Sequence, residues 1–178
     1  MKYTCAITRH ARDSTLRDKV VLRAGGSEVT WHIALKALGF ILFMQHRPCI
    51  EEGVGWHYKP DLIAFDDEQR ISLWVDCGNI AVRKIDRVAS WLPRDAAFHI
   101  LRRTAKDARP LAASAKGIRR PERVQLTAFD AGFVDSMADL LDVTNRIEAS
   151  VNEAHIALSI SSRRGNEELA SALHHLTP

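Results

Sequence analysis

Two short apolar segments, Leu62-Ile63-Ala64-Phe65 and Ile71-Ser72-Leu73-Trp74-Val75, flank the turn cluster Asp66-Asp67-Glu68-Gln69, and no other feature constrains the chain as much. Runs of this length, rich in β-branched and aromatic residues and bounded by turn formers, are strands; the short turn makes them an antiparallel hairpin. Both arms read as largely buried, which puts the hairpin in the core. From Ile80 to Trp91 the residues Val82, Ile85, Val88 and Ala89 line one face of a helix, with Arg83, Lys84 and Arg87 elsewhere, and Pro93 stops it. A short strand over Ala97–Leu101, a basic helix over Thr104–Ala115 with Pro110 as an obstacle, and a strand over Val124–Phe129 follow. Strands alternating with helices imply parallel neighbours and an α/β class.

The remaining segments flank this core. Lys2–Thr8 and Lys19–Arg23 read as strands that pair as a hairpin. Gly25-Gly26 then breaks the chain, Ser27 is a helix cap, and Trp31, Leu35, Leu38 and Leu42 recur at helical spacing to about Gln45. Gly39 inside that helix lowers local propensity by roughly 1 kcal/mol relative to Ala, which signals close packing. Asp130 caps a helix running to Leu141, Arg146–Val151 and His155–Ile160 form a hairpin turned by Asn152-Glu153, and Glu167–His175 reads as a terminal helix. No linker or repeat divides the chain, so residues 1–178 are expected to form a single domain.

The composition, 46% hydrophobic and 26% charged over 178 residues, is that of a globular domain. The N-terminus lacks the apolar run and cleavage site of a signal peptide, and Cys5, Cys49 and Cys77 suggest neither a disulfide framework nor a zinc site, so a cytoplasmic location is expected. The longest apolar stretch, Ile33–Met44, is interrupted by Lys36 and is too short for a bilayer core of roughly 30 Å, so no membrane partner is expected. Charge is unevenly placed. Residues 1–81 balance ten basic against ten acidic side chains, residues 82–123 carry twelve Lys or Arg against four acids, and residues 124–178 carry three against eight. A basic segment attracts polyanions by steering and counterion release, although a solvated surface explains a charge run equally well.

Asp61 precedes the first arm of the central hairpin and Asp76 ends the second, so the antiparallel turn brings them to the same end. Neighbouring carboxylates repel unless they share a cation or a proton, which makes the pair either a metal site or a strained pair with a raised pKa. Mg²⁺ or Mn²⁺ is the natural partner: it binds through one or two carboxylates plus phosphate oxygens and activates a water.

The order of these elements, with an early Glu on a helix, Pro60-Asp61, a hairpin and an acidic strand end, resembles the PD-(D/E)XK nuclease superfamily. More narrowly, residues 2 to 160 resemble the YaeQ family, in Lys2-Tyr3-Thr4 opening a strand, the Glu28 helix, Trp74-Val75-Asp76-Cys77-Gly78 and the hairpin within Arg146–Ile160. The resemblance implies a restriction endonuclease-like core, a mixed β-sheet flanked by helices, with an additional β-hairpin near the C-terminus. It also implies Asp61, Asp76 and Glu28 as metal ligands. Such nucleases carry a lysine two residues after the second acid, where this chain has Gly78; Lys84 on the following helix would reach back to that place, with Arg83 as substitute. Asp61, Asp76 and Lys84 are then the catalytic set, and Arg83, Arg87, Arg102 and Arg103 the nucleic-acid contacts.

Simpler roles stand beside these. Asp61 and Asp76 suit a turn and a cap, the helix dipole alone favours an acid at Glu28, and Lys84 suits a solvated helix face. His32, four residues after Glu28, shares its helical face and either joins the site or sits at the core edge; His57 reads as a proton carrier beside Pro60-Asp61, and Cys77 as a packed thiol. His174-His175 and the Asp66-Asp67-Glu68 turn lack metal-ligand spacing. Three functions fit: a Mg²⁺- or Mn²⁺-dependent phosphodiester hydrolase, a nucleic-acid-binding module without turnover, and a protein-interaction domain.

Overall fold

In the computed structural model, which describes residues 1–26 and 28–176, the chain runs β1 (Lys2–Ala11), β2 (Ser14–Arg23), α1 (Thr30–Leu42), β3 (Cys49–Ile50), β4 (Leu62–Phe65), β5 (Ile71–Cys77), α2 (Val82–Trp91), β6 (Ala97–Arg102) and α3 (Ala105–Ala113). It continues through β7 (Val124–Ala128), α4 (Phe133–Leu140), β8 (Thr144–Val151), β9 (His155–Ser162), β10 (Gly165–Ala172) and β11 (His174–Leu176). The cap foreseen at Ser27 lies outside the described residues.

Among the described residues the strands form two mixed sheets. One has the order β11-β7-β6-β5-β4-β3, in which β5, β6 and β7 run parallel and the rest antiparallel, as the alternation of strands and helices implies. The other has the order β10-β9-β8-β1-β2. The C-terminal hairpin is therefore not an appendage to one sheet. β8 runs parallel to β1 and joins both terminal hairpins into a second sheet. Its strands alternate buried and exposed residues, with Ile147, Ala149, Ile156, Leu158 and Ile160 facing the core and polar residues facing water.

The central hairpin is buried on both faces. Leu62, Ala64, Leu73, Val75 and Cys77 belong to the core formed with α1, α4 and the inner face of the second sheet, while Ile63 and Trp74 belong to a second core under α2 with Phe98 and Ile100. The layers are thus sheet, helices, sheet, helices, with α1 in the inner helix layer. Ile33, Ala34, Leu35, Ala37 and Leu38 of α1 are fully buried, which explains its nearly continuous apolar character.

Two predicted elements differ. The segment expected as a terminal helix is strand: β10 pairs with β9 at Glu167↔Ile160, and β11 pairs with β7. Its Glu, Ala and Leu content favours a helix in isolation, but strand pairing at two open sheet edges outweighs that propensity. Asp130 does not cap α4, whose preceding residue is Gly132 at φ 86°; its carboxylate instead accepts from the Ala172 backbone N–H at 2.9 Å and meets His174 Nε2 at 2.7 Å. Among the described residues no helix is long and apolar enough to cross a membrane.

Gly39 is where α1 meets the other sheet most closely: a Cβ there would lie 2.9 Å from Leu62 Cδ1 and 3.1 Å from Leu101 Cδ1. Gly39→Val is therefore expected to lower the unfolding free energy in urea by about 1–3 kcal/mol through overpacking. An unchanged midpoint would show that the packing there is not tight.

Candidate functional site

The strand pairing Leu62↔Val75 places Asp61 across from Asp76 at the end of the central hairpin, as the sequence implies. The two carboxylates then part. Asp61 turns toward α1, accepting from the Cys77 backbone N–H through Oδ2 at 2.7 Å and lying 3.5 Å from His32 Nε2 and 3.9 Å from Lys36 Nζ. Asp76 lies on the α2 side, where its Oδ1 accepts from Lys84 Nζ at 2.8 Å.

His32 and Lys36 are spaced by four residues on α1, and Glu28, in the turn before the helix, continues their stripe. Lys36 is 2% exposed, and its ammonium hydrogen-bonds to both Glu28 and Glu51 beside Asp61. Burial works against its charge, but Glu28 and Glu51 outweigh it and hold the pKa above the ordinary lysine value. Burial likewise opposes ionisation of Glu28 and Asp61, yet Lys36 and His32 bring both below the usual carboxylate range. Glu51 sits at φ 50°, a left-handed conformation that costs a non-glycine residue roughly 1 kcal/mol. Its carboxylate pairs with Lys36.

His32 belongs to the cluster rather than only to the core edge. Its Nδ1 is 2.7 Å from Glu28 Oε1 and its Nε2 is 3.2 Å from the Cys77 carbonyl oxygen, so both ring nitrogens face acceptors. Only the imidazolium donates from both. Burial lowers its pKa, but Asp61 and Glu28 raise it further, for a net upward shift. The sequence signal for this cluster was the lysine interrupting an apolar helix, four residues after His32 and eight after Glu28. Glu51 carried no such signal, because a loop delivers it.

Asp76 is fully buried, and its Oδ2, like Trp74 Nε1, has no hydrogen-bond partner among the described residues. Burial, only partly offset by Lys84, pushes its pKa up to about 6, with nearby Asp61 adding to the rise. Lys84 also donates to the Lys59 carbonyl at 3.1 Å, so its ammonium is committed on two sides. Cys77 is buried and held as the neutral thiol, foremost by burial.

Position 78, where the nuclease resemblance would place a lysine, is held as glycine by a strained backbone and a close ring. Gly78 has φ +78°, and a Cβ there would lie 3.1 Å from Trp31 Cζ3 and 3.6 Å from His32 Cδ2. Its N–H donates to the Leu101 carbonyl and its carbonyl accepts from Arg102. Arg102 is correspondingly not a surface residue: it is buried, and its guanidinium holds the Gly78 and Asp107 carbonyls. Arg103 meets Asp107 and Asp135 and lies 5.4 Å above the Trp31 ring, whereas Arg83 and Arg87 are exposed on α2. His57 is exposed and packs edge-on against Tyr58.

A cavity of about 800 Å³ lies elsewhere, at the C-terminal end of α1, lined among others by Arg9, Phe43, His99 and His175.

The family model described as YaeQ protein matches residues 1–169. The chain belongs to the YaeQ family. Crystal structures of the YaeQ proteins from Xanthomonas axonopodis pv. citri and Pseudomonas syringae share its fold. The first superposes with a TM-score of 0.75 at 15% identity, covering 100% of both chains. The second superposes with a TM-score of 0.79 at 13% identity, covering 99% of this chain and 96% of the other. No curated protein matches the sequence.

Among the described residues, no three His, Cys, Asp or Glu side chains are grouped so as to hold a metal ion. The ligand set implied by the nuclease resemblance is divided between two groups of internal counter-ions. Glu28 and Asp61 face Lys36 and His32, and Asp76 faces Lys84. The residues of this YaeQ chain do not fit a resident Mg²⁺ or Mn²⁺, because ammonium and imidazolium groups stand at the carboxylates that such an ion needs.

Asp76 titrates at about pH 6, so between its ordinary pKa and that value the folded protein keeps a proton that the unfolded chain has lost. Stability therefore falls as pH rises through this window and stays reduced above it. Asp76→Asn removes that loss and is expected to be more stable than the wild type by about 1–3 kcal/mol near pH 8, the gain fading toward about pH 4, in urea denaturation at both values. A difference that does not change with pH would contradict this.

Proposed function

We propose that the chain binds nucleic-acid phosphodiesters on its outer helix layer, on a nuclease-like scaffold, and does not hydrolyse them. One observation carries the binding: Arg83, Arg87, Lys106, Arg109, Lys116, Arg119 and Arg120 are all exposed on α2, α3 and the turns between them and β7. The excess charge of residues 82–123 is therefore gathered on the layer that covers one face of the sheet. Acids are few in this layer: Asp86 on α2 bonds Arg119, Asp107 on α3 meets Arg103, and Glu122 lies just before β7.

Kinship with the PD-(D/E)XK nucleases is supported by the order of α1, antiparallel β4 and β5, α2, and β6 parallel to β5, with Glu28, Asp61 and Asp76 at one end of the hairpin. The choice of binding over metal-dependent hydrolysis rests on Lys36, His32 and Lys84, which already neutralise those acids. A cytoplasmic location goes with this reading.

Affinity for a labelled oligonucleotide is expected to fall linearly in log–log form with salt. The double variant Arg83→Ala/Arg87→Ala should reduce the slope by about 2, roughly one for each phosphate no longer neutralised. No cleavage is expected in Mg²⁺ or Mn²⁺. Absence of binding at low salt would refute the reading, and Mn²⁺-dependent nicking that vanishes in Asp76→Ala would replace it with the hydrolase.

A further inference from the structure

On α2 the exposed residues Arg83, Arg87 and Trp91 follow one another at four-residue intervals and so form a single stripe along the helix, with steps of about 6 Å. The ion pairs of α2 run from other positions, Lys84 to Asp76 and Asp86 to Arg119, which leaves both arginines of the stripe without an ion-pair partner among the described residues. Trp91 ends the stripe with 42% of its surface in water. It is the one Trp, Tyr or Phe side chain so exposed among the described residues, and leaving that apolar area in solvent works against folding.

The Trp91 indole is nonetheless held in place. Trp56 meets it edge-on at 5.5 Å, Tyr58 lies 6.1 Å away, and Trp56 itself stacks on buried Trp74 at 5.4 Å and 20°. This chain of rings reaches from the core beside Asp76 to the surface. Next to it, exposed Lys59 precedes Pro60-Asp61, and its carbonyl is tied to Lys84. The patch thus combines a fixed aromatic ring with three exposed cations on one side of the molecule.

We propose that this stripe binds single-stranded nucleic acid, Trp91 stacking on a base while Arg83, Arg87 and Lys59 hold the backbone phosphates. A duplex offers its phosphates to the same arginines but keeps its bases stacked on one another, out of reach of a flat ring on a helix surface. A single strand presents both the charge and the free π-face, and it satisfies the exposed indole that a duplex leaves in water. A ring already clamped by Trp56 and Tyr58 loses little side-chain freedom on binding. This inference rests on the nucleic-acid reading above and names the form of nucleic acid that the site takes.

The test is fluorescence anisotropy at low salt with labelled single strands of DNA and of RNA and with the matching duplexes, for wild type, Trp91→Ala, Trp91→Phe and Arg83→Ala/Arg87→Ala. Circular dichroism confirms that each variant is folded. The wild type should prefer one or both single strands over the duplex, and Trp91→Ala should weaken single-strand binding by roughly tenfold, the order expected for one stacked base, while leaving duplex binding unchanged. Trp91→Phe should recover most of the loss. If Trp91→Ala binds single strands as tightly as the wild type, or if the duplex is preferred, single-strand stacking is overturned and the nucleic-acid reading stands. If folded wild type binds neither form, both fall.

Discussion

The ammonium of Lys36 is the constraint on which the site and much of the packing around it depend. It is buried within a helix that lies between two sheets, where an unpaired charge would be untenable, so the surrounding chain must bring carboxylates to it. Glu28 approaches from the turn before α1, Glu51 from the loop after β3 and Asp61 from the turn before β4. Three separate segments are therefore fixed around one cation. Asp61 also bonds the Cys77 backbone, so the same network sets the end of β5.

That arrangement explains why two acids opposite each other in a hairpin do not form one centre. Asp61 is drawn to α1 by Lys36 and His32, and Asp76 follows the alternation of β5 toward α2, where Lys84 meets it. The cost falls on Asp76, whose second oxygen is buried without a partner among the described residues and whose pKa rises to about 6. Gly78 completes the separation. Its positive φ and the Trp31 ring close against it disfavour any side chain at that position.

The central hairpin, the parallel trio and α1 were legible in the sequence because buried apolar runs and helical spacing report directly on core position. The terminal strands β10 and β11 were not, since Glu167-Glu168-Leu169-Ala170 satisfies helical propensity and only the open edges of the two sheets decide otherwise. In the site, Asp61 and Asp76 were visible as the ends of two strands, and Glu28 as an acid at a helix start. Which way each carboxylate turns was invisible, because it depends on cations brought by α1 and α2. Lys36 showed only as a charge in an apolar stretch, and Arg102 read as a surface residue because nothing local reveals that its guanidinium is taken by the Gly78 and Asp107 carbonyls.

The chain's own cations stand at the carboxylates that a divalent metal would need. Calorimetric titration of Mn²⁺ into the wild type and into Lys36→Met tests this most directly. The account predicts no saturable binding to the wild type and the appearance of binding in Lys36→Met, where Glu28, Glu51 and Asp61 lose their ammonium. Saturable binding to the wild type that disappears in Asp61→Asn would contradict it.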